Sequence, residues 1–285
     1  MYRIESTTIL TPQNGLNIYR GRTEDSIMLT EIRGQNPMDV GIKYDADDLL
    51  ATTLRARRGK GMIVMGNLGD PYNKWEEELC LTRKCLMVIE NSDYGVCINT
   101  HQQFILRDLD VLEGISSKTK CIVDINIPTF DEKKLERLDG SDTMSVQERL
   151  NLISTLKMHG ISVVVSVSPI VPYVTDNKEE LLYMIKELSG LGVRHIDFLD
   201  FRTGIQKAVR DFFYTEYQKR FPEEYEMYMK ERKNDGEIVA NNSKALLKEL
   251  GDVCRSKKIM YDTRQIRLWR RQYENKTVGT QLSLF

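Results

Sequence analysis

Short apolar runs alternate with longer amphipathic ones through the first two thirds of this chain, and few architectures accept that pattern. The strand-like runs are Leu16–Tyr19, Gly61–Met65, Val96–Thr100, Cys121–Ile127, Ser162–Ser168 and His195–Leu199. Between them lie helical patterns: Asp45–Arg58, with Leu49, Leu50 and Leu54 on one face and a cationic end, then Glu76–Glu90 and Arg107–Gly114. Ser145-Val146-Gln147-Glu148 is a capping box, since Ser and Glu three apart exchange hydrogen bonds with each other's backbone amides, and it predicts a helix through Leu150, Ile153 and Leu156. Asp176–Glu179 opens another. The β-branched run Ser162–Ser168 suits a strand buried on both faces.

Six strands separated by helices require parallel pairing and right-handed crossovers. The expected fold is therefore α/β, an open or partial parallel barrel whose ligand site lies at the C-terminal ends of the strands. After Phe201 the strand signal stops, and only helical patterns follow at Lys207–Arg220, Asn241–Ser256 and Arg264–Tyr273. This divides the chain into a barrel over 1–200, a basic helical segment over 201–276 and a flexible tail over 277–285. A length of 285 residues suits one large domain with such an annex.

Charge excludes one simple reading. With 41 Lys and Arg against 42 Asp and Glu, any affinity for nucleic acid must come from local patches. Five scattered cysteines (Cys80, Cys85, Cys97, Cys121 and Cys254) suit reduced thiols better than a disulfide framework. No apolar run approaches the length of about 20 residues that spans a bilayer, and Met1–Glu5 is no signal peptide, so a cytoplasmic protein without membrane contact is expected.

Chemistry belongs where strands give way to loops. Those loops read Tyr19-Arg20-Gly21-Arg22, Gly66-Asn67-Leu68-Gly69-Asp70-Pro71-Tyr72 with Glu76 and Leu81-Thr82-Arg83, Thr100-His101-Gln102 with Leu106-Arg107-Asp108-Leu109-Asp110, Asp124–Ile127, and Ser168–Pro172. Together they resemble the spore photoproduct lyase-like branch of the radical S-adenosylmethionine (SAM) superfamily, from about Gly15 to the C-terminus, through the "GxxxDPY…E…LTR" and "LRDLD" runs. The resemblance implies a partial (β/α)6 barrel and a pocket for SAM, held by Tyr19, Gly66, Asp70, Tyr72, Glu76, Thr100, His101, Asn126 and Arg149, the last near the SAM carboxylate.

The departures weigh more. The family's first loop looks like "YRGCxHxCxYC", whose three thiolates hold a 4Fe–4S cluster. Here Arg22, Ser26 and Leu29 stand at those positions. None is a thiolate, and Arg22 brings positive charge where the cluster would sit. His101-Gln102 replaces a Lys-Ser pair, and Asn126 replaces a serine. Cys80 and Cys85, five apart on one helix, project about 140° from each other, with Cys97 on the following strand; they are free thiols or the ligands of a rebuilt cluster. The expectation is a cluster-less homologue without reductive SAM cleavage, with SAM or another adenosyl compound the candidate ligand of the residual pocket. The alternative is an active lyase with an unconventional or mutated cluster site.

Other features carry a functional and a plain reading side by side. Asp70-Pro71-Tyr72 is a ligand loop or a turn. Glu24, Asp25 and Glu31 could hold a hard cation or simply face solvent. His101 has acid–base chemistry but no partner in sequence, and His159 and His195 look structural. Arg264, Arg267, Trp269, Arg270 and Arg271 interleave cations with an aromatic, as DNA-binding surfaces do, or form a solvated face. Finally, Gln281, Leu282, Leu284 and Phe285 match the peptide with which bacterial repair proteins bind the β sliding clamp, or they tuck onto their own domain.

Overall fold

The computed structural model describes residues 2–21, 26–27, 40–200, 207–232 and 243–277. In chain order the elements are β1 (Tyr2–Arg3), β2 (Gly15–Leu16), β3 (Tyr19–Arg20), β4 (Gly41–Ile42), α1 (Ala46–Ala56), β5 (Met62–Met65), α2 (Glu76–Leu79), α3 (Leu81–Asn91) and β6 (Gly95–Thr100). A 3-10 turn at Gln103–Asp108 leads into α4 (Leu109–Lys118), followed by β7 (Cys121–Asn126), α5 (Glu132–Asp139), α6 (Val146–Met158), β8 (Ser162–Ile170), α7 (Lys178–Gly190) and β9 (Ile196–Asp200). Four more helices complete the described chain: α8 (Lys207–Arg220), α9 (Pro222–Glu231), α10 (Ser243–Ser256) and α11 (Thr263–Arg271).

The main sheet has six strands in the order β2-β5-β6-β7-β8-β9, every pairing parallel. The fold is α/β, a partial barrel with helices after its strands, as the alternation requires. The run expected as one strand over Leu16–Tyr19 is two short pieces in different sheets, because β2 pairs with β5 while β3 turns away to pair antiparallel with β4. The capping box forms at Ser145 and Glu148. Two helices escaped the sequence reading although their start signals are plain, α5 behind Asp131 and α9 behind Pro222.

One helix is broken where a continuous one was expected. Between α2 and α3, Cys80 takes a left-handed backbone at φ 52°, and the Glu76 carboxylate accepts the amides of Thr82 and Arg83 at the start of α3. A buried carboxylate satisfying two otherwise unpaired helix amides holds the chain in this step. Cys80 therefore lies at the break between the two helices and Cys85 lies on α3.

Strand alternation sorts the side chains into two cores. Ile63, Met65, Val96, Ile98, Val123, Ile125, Val163, Val165 and Val167 face the surrounding helices. Met62, Cys97, Ile122 and Val164 point the other way and form an apolar floor with Ile266 of α11, against which Trp269 packs. The helices after residue 200 pack on the barrel, since Leu250 and Cys254 of α10 join the outer core and Ile266 of α11 fills the barrel. No helix among the described residues is long and apolar enough to cross a membrane.

Candidate functional site

At the ends of β5 and β6 the two family-like motifs meet. Asp70 accepts from the Tyr72 amide (2.8 Å), the Thr100 hydroxyl (2.8 Å) and the His101 amide (2.7 Å), tying one strand-end loop to the next. The Tyr19 hydroxyl donates to Glu76 (2.6 Å), which pairs with Arg107 (2.7 Å). Arg107 reaches Asp108 (2.8 Å), Asp108 also accepts from Tyr72 (3.1 Å) and Arg83 (3.1 Å), and Arg83 continues to Asp110 (2.7 Å). Burial, then the Glu76 carboxylate, pushes the Tyr19 phenol far above its ordinary range, and Tyr72 is raised by burial and Asp108. The Arg83 guanidinium holds Asp110 down to about 2. Of these, the resemblance implies ligand contacts for Tyr19, Asp70, Tyr72, Glu76, Thr100 and His101. The structure turns them mainly into one another, as a lock between loops. Gly66 belongs to the same lock, since it sits at φ +88° and a Cβ there would run into the Asn99 carbonyl oxygen.

The ends of β7 and β8 are equally occupied. Arg149, 1% exposed, donates to the carbonyls of Met144 (3.1 Å) and Asn126 (2.7 Å) and pairs with Asp139 (3.0 Å). Where the resemblance puts a ligand carboxylate beside Arg149, this chain supplies its own. Asn126 donates to the Ser168 carbonyl (2.5 Å), and the Ser26 hydroxyl donates to Asp139 (3.2 Å). Arg22 and Leu29 lie outside the described residues, as do Glu24, Asp25, Glu31 and the tail residues Gln281, Leu282, Leu284 and Phe285. Four of the five thiols are buried, each on a different element: Cys85 on α3, Cys97 on β6, Cys121 on β7 and Cys254 on α10. Burial pushes Cys97 and Cys254 up to about 12 and raises Cys85 and Cys121 as well, all away from the thiolate form. Cys80 sits at the helix break beside the Arg107 guanidinium (3.6 Å).

The barrel interior gathers Asn126 and His101, which the resemblance implies for the pocket, with residues that sequence reasoning missed. Above the apolar floor lies a polar tier: Asn99 beside Asp124 in register, and Asn126 beside Ser166 beside Asp197. The Ser166 hydroxyl donates to Asp124 (2.7 Å), and Arg270 of α11 pairs with Asp124 (2.6 Å) and Asp197 (3.4 Å). Burial raises Asp124 above the usual carboxylate range, while Arg270 and Ser166 pull it back. His101 ends the same strand face, its Nδ1 buried with no hydrogen-bond partner. A signal existed in the run Cys97-Ile98-Asn99-Thr100-His101, where polar residues interrupt the inward face of an otherwise apolar strand.

This changes the reading of α11. Of the five residues assigned to nucleic acid, Arg264, Arg267 and Arg271 are exposed, but Trp269 and Arg270 turn inward. Arg270 neutralises buried carboxylates. The Trp269 ring stacks on His195 at 3.8 Å and carries the Lys120 ammonium at 4.1 Å, so its faces are not open to a base. His195, desolvated and near Lys120 and Arg270, falls to about 4. His159 bonds Glu113 (2.6 Å) at the surface. Between α11 and the β2–β5–β6 wall lies a cavity of about 510 Å³ lined by Asn17, Asn67, Asn99, Arg267, Arg270 and Arg271 among others.

No family model matches the chain. Uncharacterised proteins of Mycobacterium tuberculosis and Mycobacterium bovis are 24% identical over 161 residues, 56% of this chain and 46% of theirs. The chain thus spans about half the length of the curated relatives it matches. A spore photoproduct lyase mutant with bound AdoMet and dinucleoside spore photoproduct superposes with a TM-score of 0.65 at 16% identity, over 91% of this chain and 80% of that one. The radical SAM methyltransferase TsrM of Kitasatospora setae, with cobalamin and a 4Fe–4S cluster bound, gives 0.50 at 10% identity over 66% of this chain and 34% of its own. The chain has the partial-barrel fold that spore photoproduct lyase shares with other radical SAM enzymes.

Proposed function

We propose that this chain is a cluster-less relative of the radical SAM lyases, associated with DNA repair and without reductive SAM cleavage. The observation that carries the reading is the first loop, where Arg22, Ser26 and Leu29 occupy the positions of the three cluster thiolates. Ser26 supports it by donating its hydroxyl to Asp139, and the buried thiols support it because they are spread over α3, β6, β7 and α10 and burial disfavours their thiolate form. The residues present do not fit a 4Fe–4S cluster, so no electron-transfer step is assigned to them. Arg149, already paired with Asp139, would hold a SAM carboxylate only by giving up that partner. Anaerobic reconstitution with iron and sulfide is expected to leave the protein colourless and to yield no 5′-deoxyadenosine with dithionite and SAM. Brown protein with stoichiometric iron would overturn the reading in favour of an active lyase with an unconventional cluster.

The link to DNA rests on three supports. The superposed lyase carries a dinucleoside photoproduct, Arg264, Arg267 and Arg271 leave exposed charge on one helix, and Gln281–Phe285 has the clamp-binding pattern. In this reading Leu284 and Phe285 fill an apolar groove on the β sliding clamp, and Gln281 hydrogen-bonds at its edge.

A further inference from the structure

We propose that the cavity between α11 and the β2–β5–β6 wall binds a small phosphomonoester with a hydroxyl-rich body, a sugar phosphate. Arg267 and Arg271 stand four apart on α11, so their side chains share a face, and both line the cavity. Both are exposed, and neither makes an ion pair among the described residues. Like charges at that spacing repel, and an anion between them removes the penalty. Arg270, also in the lining, is anchored through one nitrogen to Asp124 and Asp197 while its Nε is buried with no partner.

The opposite wall points the same way. Asn17 is only 6% exposed, lines the cavity and makes no side-chain hydrogen bond among the described residues. Its amide donors and acceptor are open at the cavity wall and available to a polar occupant. Asn67 and Asn99, bonded to each other (3.1 Å), keep further capacity beside it. The described lining contains no carboxylate and no aromatic ring. Guanidinium forks match phosphate oxygens, amides match hydroxyls in either sense, and the missing aromatic face disfavours a base that binds by stacking. The volume of about 510 Å³ suits a small molecule rather than a strand of nucleic acid. The site depends neither on cluster loss nor on the clamp peptide.

Calorimetric titration of the full chain with ribose 5-phosphate tests this. One ligand per chain is expected, with ribose and inorganic phosphate each at least about tenfold weaker, because each lacks half of the matched chemistry. Replacing both arginines (Arg267→Gln with Arg271→Gln) is expected to weaken ribose 5-phosphate at least about tenfold with the thermal midpoint unchanged, and Asn17→Ala about threefold or more. Absence of binding at millimolar ribose 5-phosphate overturns the proposal, as does inorganic phosphate binding equally well. Loss of oligothymidylate binding in the double variant with ribose 5-phosphate affinity unmoved also overturns it, and assigns the arginines to a nucleic-acid surface.

Discussion

Arg83 and Arg107 make similar sets of ion pairs in the strand-end lock, yet their removal should cost very different amounts. Arg107→Met leaves Glu76, whose side chain is 0% exposed, without a cation, although the Tyr19 hydroxyl and the Thr82 and Arg83 amides remain bonded to it. Breaking one side of a buried ion pair costs about 3–5 kcal/mol, because the partner stays buried and charged. Arg107 is itself 22% exposed and Glu76 keeps those three donors, which sets the expectation at the lower end, about 3 kcal/mol. Arg83→Met is different. Asp108 keeps Arg107 at 2.8 Å, and Asp110 is 65% exposed and free to hydrate. That loss is a surface pair, about 1 kcal/mol or less. Urea denaturation followed by far-UV circular dichroism at pH 7 should show the two variants about 2 kcal/mol apart with unchanged slopes. The thermal midpoint of Arg107→Met should fall by roughly 6 °C. If Arg107→Met lies within about 1 kcal/mol of the parent, or costs less than Arg83→Met, burial of the carboxylate is not what sets the energy.

Three further outcomes follow from the geometry. Ile266→Ala removes a fully buried side chain from the barrel floor and should cost about 2–5 kcal/mol by urea denaturation, and a value near zero would mean that α11 does not hold the floor. His195 is depressed to about 4 from 6.5, so the unfolded chain binds the extra proton first and stability is lost as pH falls from 6.5 towards 4. His195→Phe keeps the stack on Trp269 and should flatten the midpoint-versus-pH curve across that window, whereas an unchanged slope would assign the acid limb to other groups. Deleting Gln281–Phe285 should abolish clamp binding of micromolar strength, about −8 kcal/mol, and leave the thermal midpoint in place; a lowered midpoint without clamp binding would make the tail an internal staple.

What could be read in the sequence was whatever depends on local pattern. Six strands, the capping box at Ser145 and the long helix over Lys207–Arg220 all follow from periodicity and cap chemistry. The motif residues Asp70, Glu76, Arg83, Arg107 and Asp108 were also visible, but not that they bond mainly to one another, because a carboxylate that binds a ligand and one that binds an arginine 31 residues away look alike in one dimension. The break at Cys80 was hidden for the same reason, since its cause is where the Glu76 side chain goes. Arg270 and Trp269 misled most. A basic helix with an aromatic reads as a surface until Asp124, Asp197 and His195 are seen to await it inside the barrel. No motif marks the cavity asparagines as a group: Asn67 is a variable position of the GxxxDPY run, Asn99 lies in β6 and Asn17 follows β2, and only strand pairing gathers them.

The floor closed by α11 has a consequence for how the chain is made. Every strand that α11 plugs is translated before it, and Arg271 at the end of α11 comes 71 positions after Asp200 at the end of β9. At about 5–20 residues per second, the ribosome takes roughly 4–14 s over that stretch. During this interval Met62, Ile122 and Val164 have no lid, and Asp124 and Asp197 have no arginine. A chain ending before α11 therefore has an apolar floor without its Ile266 cover and two barrel carboxylates without their arginine, and both deficits end together when α11 docks.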